Sequence, residues 1–456
     1  MANKQILKYS RAIQVEYHPD VMICGIGCAG ITAAIASGRM GANTLAIERW
    51  PFAGGNTTVA SVNGCCGLAD MTTGKLAVGG IVLELLAEAG IQVERGLKDD
   101  SVVPPAEILK RKDDKLFEPI TDMEQIRKVH TRLPYAWDME KFKRVADKLL
   151  IESKVKTLYH TQIVDVIVEN SQIKYVLISD RETLKAVRPK VVVDCTGDGS
   201  IAAWSGVPFE MADNLQPATL TFYISNVNIL ADKQELQDKC YKVFKQAYDA
   251  GELALFGGPY LSWPAPNIVR FNSIRQKLDT LSVEQLSYLE MHSRAQAWKM
   301  FELLKSNLDE FRKAHFLSSG PALGIRESRR IRGEYVLSKE DILQSSKFPD
   351  AVVKGAWNLD YHPADKVGHH FQYVMPAYDI PYRTLLPVNI RNLLIAGRAH
   401  SATKEALASS RVGVTAMGMG HAAGVAAAMS SEKNISPKEI DVKLLRKELI
   451  SQGAIL

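Results

Sequence analysis

The chain has 456 residues and only six cysteines, too few for a disulfide scaffold, so a reducing, cytoplasmic setting is expected. No block of one charge sign stands out: the net charge of +5 is spread along the chain. That argues against a nucleic-acid or membrane-surface partner and leaves a mild attraction for an acidic small molecule. No Cys/His spacing suits a metal site. Residues 1–19 carry charges and lack an apolar core of their own, so no signal peptide is expected. Long apolar runs are scarce. Residues 21–38 and 413–429 come nearest, but both are rich in Gly and Ala and the second contains His421. They read as buried segments of a soluble protein rather than membrane spans. There is no internal repeat and no low-complexity tract.

What is present begins with residues 21–30, VMICGIGCAG. A short apolar run ends in Gly25, Gly27 and Gly30. An Ala-rich helical pattern follows to Arg39, then a second apolar run, 43–47, closed by Glu48. Strand, glycine turn, helix, strand and acid make a dinucleotide-binding unit. The first Gly permits the tight turn, the second lets backbone approach a pyrophosphate, and the third lets the helix pack close to the strand. The helix N-terminus favours the phosphate charge. Glu48 is spaced to accept hydrogen bonds from a ribose.

The length implies two or three domains. Gly54-Gly55-Asn56 is a loop suited to a phosphate chain or a flat ring. Helices are expected over 79–89, 138–153, 282–316 and 413–429, with a charged helix at the C-terminus. Strands are expected over 156–160, 163–169, 173–179, 191–193, 218–224 and 392–396. Residues 97–135 read as a polar surface insertion, and 360–383 as loop carrying His362, His369 and His370.

Three segments share one logic, strand then glycine turn: 21–30, 191–199 and 392–398. That order, with GIGCAG and Glu48, GGNTT, CTGDG, GIRESRRIRGEY, IPYRTLLP and NLLIAGRAHSATKEALASSRVGVTAMGMGHAAG, resembles the FAD-dependent oxidoreductases of the glutathione-reductase-type fold. It looks most like the broad bacterial family of FAD-dependent oxidoreductases, distant relatives of fumarate reductase flavoproteins. The resemblance implies an α/β fold: a discontinuous Rossmann-like FAD-binding domain (residues 1–80, 150–205 and 385–456), an insertion (81–149) and an α+β substrate or cap domain (206–384). It implies FAD held by Gly25, Gly27, Gly30 and Glu48 at the ADP half, and by Arg49, Gly54, Gly55 and Asn56 toward the flavin. By the same resemblance Ile163 would offer backbone to the adenine, Thr196, Gly197 and Asp198 would close the ADP side, Gly397 and Arg398 would bracket the ribityl chain, and Val412 and Gly413 would face the pyrimidine edge. Lys404 stands where relatives often carry His, so no substrate or mechanism transfers across that position.

The flavin is expected to exchange a hydride at N5 with a small polar, perhaps anionic, organic substrate, passing electrons to an acceptor the residues do not name. Arg326 with Arg329 or Arg330 is either a carboxylate clamp or an ion-pair network with Glu327 and Glu334. His400 and His369 are candidate acids or bases, though for His400 a neutral, hydrogen-bonded core role is the somewhat stronger reading. Adjacent Cys65 and Cys66 offer an alternative, a flavin-linked thiol–disulfide oxidoreductase. A non-catalytic dinucleotide-binding protein is a third reading. A homo-oligomer is compatible with all three.

Overall fold

Strand Val21–Cys24 is the middle of a five-stranded sheet, and every side chain in it is buried. The order is Leu393–Ile395, Val191–Asp194, Val21–Cys24, Thr44–Ile47, Lys156–Leu158, and each neighbouring pair is parallel. Parallel strands covered on both faces are mostly apolar, and the three central strands are buried throughout, with only Thr44 and Asp194 polar. Alternation divides their side chains between two layers. Val21 and Ile23 join a helical core, while Met22 and Cys24 meet Ile163 and Val176 of a second sheet. The structure is a computed structural model and describes residues 7–8, 10–70, 75–90, 138–228, 233–363, 370–372 and 376–456.

The helical layer is built on helix Cys28–Arg39 against helix Gly413–Lys433. Their backbones approach closely because Gly420 and Gly424 have no side chains. A Cβ added at either would lie 1.9 Å from the Ala29 carbonyl oxygen or 2.2 Å from that of Ala33. The Thr32 hydroxyl donates across this contact to the Met417 carbonyl at 2.6 Å. Helix Met139–Glu152 adds Phe142, Val145, Ala146 and Leu149 to the same core, the face its periodicity predicted, and Asp138 caps it.

The second sheet runs Gln14–Tyr17, Leu184–Val187, Gln172–Ser179, Gln162–Glu169. Its first two strands, parallel to each other, are short and carried no clear pattern in the sequence. A third, antiparallel sheet (Phe256–Ala265, Ile268–Ile274, Thr221–Ser225, His315–Ser319) packs on helices Lys233–Asp249 and Val283–Asn307 around a core of its own. Phe222 and Phe271 stack there at 4.9 Å.

Two expectations need correction. The helix predicted over 282–316 ends at Asn307. The chain then turns to bury Phe311 and Ala314, and pairs His315–Ser319 with the third sheet. Residues 360–383 are not simply loop. Leu359–Tyr361 pairs with His370–Gln372, and Tyr378–Pro381 pairs with Ala351–Gly355. The expected 97–135 insertion and His369 lie outside the described residues. No single described helix is long and apolar enough to cross a membrane. Lys404–Ser410 and Gly413–Lys433 pass such a test only together, bent by 92°, and the second is buried almost throughout.

Candidate functional site

One cavity of about 430 Å³ runs from the first glycine turn to the third sheet. At its near end Gly25 takes a positive φ of 89°, and a Cβ there would lie 2.8 Å from the Cys195 carbonyl oxygen. Gly27 lines the cavity; a Cβ there would meet only the Gly55 Cα, at 3.7 Å. Gly30 does not line it. Its job is the close helix–strand contact, since a Cβ would lie 1.9 Å from the Gly25 carbonyl oxygen. Glu48 is buried at the cavity wall. Its two carboxylate oxygens accept from the N–H groups of Ile26 (2.9 Å) and Trp50 (3.1 Å). Burial pushes its pKa up, against those two donors and nearby Arg49. Arg49, Ile163, Thr196, Gly197 and Asp198 line the same end.

The middle of the cavity is backbone and glycine: Gly55, Asn56, Gly397 and Gly413 line it with Arg398 and Val412. Gly54 sits just behind, with φ of 119°, its N–H donating to the Ile26 carbonyl at 2.8 Å. Arg398 reaches Asp198 Oδ1 and Ser328 Oγ, both at 2.6 Å. Burial raises the Asp198 carboxyl, but Arg398 and Ser328 outweigh it and hold the group below the usual carboxylate range.

Two helices open on this space, Cys28–Arg39 and Gly413–Lys433. Neither has a side-chain cap; Gly27 and Val412 stand at the N-cap positions. Helices Met139–Glu152, Val283–Asn307 and Val442–Ser451, by contrast, are capped by Asp138, Ser282 and Asp441. Uncapped N–H groups beside a glycine-lined space suit an anionic ligand.

Residues 20–449 match the family model described as FAD dependent oxidoreductase. The chain belongs to the FAD-dependent oxidoreductase family. It is an enzyme, and FAD is its cofactor. No functionally curated protein matches it. Among solved structures it is similar to a geranylgeranyl bacteriochlorophyll reductase-like protein from Thermoplasma acidophilum (14% identity, 96% of this chain and 84% of that one, TM-score 0.47). It is also similar to L-proline dehydrogenase from P. horikoshii (12% identity, 97% and 99%, TM-score 0.44). The glycine-lined middle and the uncapped helices of this FAD enzyme fit such a cofactor, because they leave room and uncapped donors beside one cavity for its negatively charged parts.

At the far end of the flavoenzyme's cavity, Arg270, Arg326 and Arg411 line the wall with Asp360, His362 and Cys66. Arg326 donates to the Pro217 carbonyl (2.6 Å) and to the Thr219 hydroxyl. Burial and the neighbouring charges of Arg275 and Arg411 push its pKa down to about 9, so it stays charged at neutral pH. Arg270 is buried and donates to the Ser61 carbonyl at 2.6 Å. The cluster holds more positive than negative charge.

The expected partners of Arg326 are elsewhere. Arg330 pairs with buried Glu327 at 2.9 Å and with Glu210, and Arg329 donates to the Asp198 carbonyl at 3.2 Å. Those two arginines form a structural network, while Glu334 pairs with Lys438. Arg270 and Arg411 take the places near Arg326 instead. His400 is also corrected: it is fully buried and does not line the cavity. Its Nδ1 is 2.9 Å from the Gly397 carbonyl, and burial pushes its pKa down to about 4. It braces the turn at Gly397 as a neutral core residue. Lys404 donates to the Asn214 carbonyl at 2.8 Å.

Cys66 lines the cavity and Cys65 does not, so the pair cannot present two sulfurs to one ring. Both are free thiols. Burial pushes Cys65 well above its usual pKa and Cys66 to about 12. A thiolate is the form that attacks a disulfide, and neither site favours it. His362 was noticed in the sequence by type alone, and Arg411 lies inside the last motif without any expected role. Arg270 and Asp360 lie in strands and carried no signal of their own.

Proposed function

We propose that this flavoenzyme moves a hydride between FAD and a small, polar, anionic organic substrate. FAD, when bound, supplies a two-electron carrier at N5. Gly25, Gly27 and Glu48, with Ile163, Thr196, Gly197 and Asp198, hold its ADP half. Arg49, Gly55, Asn56, Gly397 and Arg398 follow its phosphates and ribityl chain. The N-terminus of helix Gly413–Lys433 favours negative charge on the ring edge it faces. On this reading residues 1–80, 150–205 and 385–456 form the cofactor domain of a glutathione-reductase-type fold. Residues 206–384 are the cap that brings Arg270 and Arg326 to the substrate. Six free cysteines fit a reducing, cytoplasmic setting.

The anionic substrate is supported by one observation: Arg270, Arg326 and Arg411 meet at the end of the cavity with Asp360 as the facing carboxylate. Guanidiniums gathered in a partly desolvated space repel one another, and a bound carboxylate relieves that repulsion while accepting their N–H groups. The test is a screen of anionic, neutral and cationic organic compounds for anaerobic bleaching of the enzyme-bound flavin. Only anionic compounds are expected to bleach it, and Arg326→Ala should raise their KM by about tenfold or more. Equal bleaching by neutral compounds would overturn the reading.

A further inference from the structure

The third sheet has two unlike faces. Leu220, Phe222 and Ile224 join the apolar core beneath it, and Val269 and Phe271 join that core from the neighbouring strand. Side chains alternate along extended chain, so Thr219, Thr221, Arg270 and Asn272 fall on the other face. Register sets Tyr260 beside Asn272 and Ser262 beside Arg270. Thr219, Tyr260, Ser262, Arg270 and Asn272 all line the cavity, so the sheet presents a polar wall to it.

Much of that wall is already engaged. Arg270 donates to the Ser61 carbonyl, and the Thr219 hydroxyl accepts from Arg326. The Thr221 hydroxyl donates to the Ala60 carbonyl at 2.9 Å, and the Ser262 hydroxyl donates to Asn63 Oδ1 at 3.4 Å. Asn272 differs. It is half-buried, and its backbone is held between Thr221 and Tyr260. Its side-chain amide has no hydrogen-bond partner among the described residues and is not sealed from the cavity. Arg326 is open in the same way. Both of its bonds leave from Nη1, so Nε and Nη2 are left for a ligand. Thr219, which anchors Arg326, and Thr221, which pairs with Asn272, are two residues apart on this face, or about 7 Å. The open guanidinium nitrogens and the open amide therefore address one short stretch of cavity.

We propose, resting on the anionic-substrate reading above, that Asn272 is a specificity-determining residue whose side-chain amide hydrogen-bonds a hydroxyl group of the substrate, a few atoms from the carboxylate that Arg326 holds. An amide presents a donor and an acceptor, and a hydroxyl answers both. A second carboxylate would answer only the NH2 and would meet the amide oxygen as a repelling charge. An alkyl group would strip water from both amide atoms and replace it for neither. The substrate class that fits is a hydroxylated monocarboxylate, bound at its two polar ends by residues from different parts of the cap.

The test titrates the full-length, FAD-loaded enzyme without oxygen, following the shift of the visible flavin band. Propionate is compared with lactate and 3-hydroxypropionate, and butyrate with 3- and 4-hydroxybutyrate. A compound that bleaches the flavin is read by the concentration that half-saturates the bleaching rate. In wild type at least one hydroxy acid is expected to bind about 3- to 10-fold more tightly than its plain partner. Asn272→Leu should lose that preference, bind the plain acid within about threefold of wild type, and keep its FAD affinity within about threefold. Arg326→Ala should weaken plain and hydroxylated acids alike by about tenfold or more. Should Asn272→Leu fail to fold, Asn272→Ala carries the same comparison. Plain and hydroxylated acids binding equally to wild type would overturn the proposal and leave the anionic-substrate reading standing. A preference that survives in the Asn272 variant also overturns it. So does a folded Asn272 variant that loses FAD, because the amide would then belong to the cofactor. Failure of every carboxylate to act on the flavin would sink the anionic-substrate reading, and this proposal with it.

Discussion

Alanine at Gly27 and at Gly30 should fail in different ways, although the two sit three residues apart in one glycine turn. At Gly30 the new methyl would lie 1.9 Å from the Gly25 carbonyl oxygen and 3.3 Å from the Cys195 Cβ. Backbone cannot yield as a flexible side chain can, so helix Cys28–Arg39 must move off the sheet. Overpacking of this kind costs about 3 kcal/mol, and the helical preference for Ala over Gly returns about 1, leaving a net loss of about 2. At Gly27 the methyl meets only the Gly55 Cα, at 3.7 Å, which is ordinary contact. Its φ of −77° suits any residue. The cost to the apoprotein is then that of a poorer N-cap, under about 1 kcal/mol. But this methyl occupies cavity space at the uncapped helix start, where a phosphate would approach the backbone. FAD affinity should fall by roughly 1–3 kcal/mol, or about 5- to 150-fold. The assay is urea unfolding of the two apoproteins together with a flavin-fluorescence titration. Gly30→Ala should move the unfolding midpoint, and Gly27→Ala should move the FAD dissociation constant. Tight FAD binding by Gly27→Ala, or collapse of its apoprotein, would refute the reasoning.

Arg398→Met should destabilise the apoprotein by about 1–3 kcal/mol by leaving Asp198 without its guanidinium. The sign with pH follows from the lowered Asp198 pKa: its contribution is complete above about pH 4 and is lost as pH falls through the lower folded value. Urea midpoints should therefore drop more steeply below pH 4 in wild type than in the variant. Tyr378→Phe should cost about 1 kcal/mol, because the fully buried hydroxyl is 2.8 Å from Ser409 Oγ; equilibrium unfolding measures it. Cys65→Ser should leave the rate of flavin reduction unchanged, and thiol reagents should react slowly with the native protein at neutral pH, because burial holds Cys65 protonated.

The glycine-turn end of the fold was legible in the sequence because its constraints are local. Gly25, Gly27 and Gly30 lie within six residues; backbone geometry demands the first and third, the second keeps a cavity wall bare, and Glu48 follows at a fixed spacing just after the next strand. The amphipathic helix from Met139 and the apolar strand from Val191 announced themselves by period and composition. The arginine-lined end of the cavity was not legible in the same way. Arg270 comes from a strand, Arg326 from a loop, and Arg411 from the turn between two helices; only folding brings them to one wall. The cluster Arg326, Arg329, Arg330 suggested a clamp by proximity in sequence. Strand Arg330–Ile331 instead turns Arg330 toward Glu327 and Glu210. His400 misled for a related reason. It follows the turn at Gly397, but its ring folds back to the Gly397 carbonyl and leaves the cavity to Arg398.

The most direct measurement is the chromophore released by acid from the purified protein, counted against the chain. One FAD per chain is expected, recovered again when the apoprotein is reconstituted. A colourless protein that takes up no FAD would contradict the account.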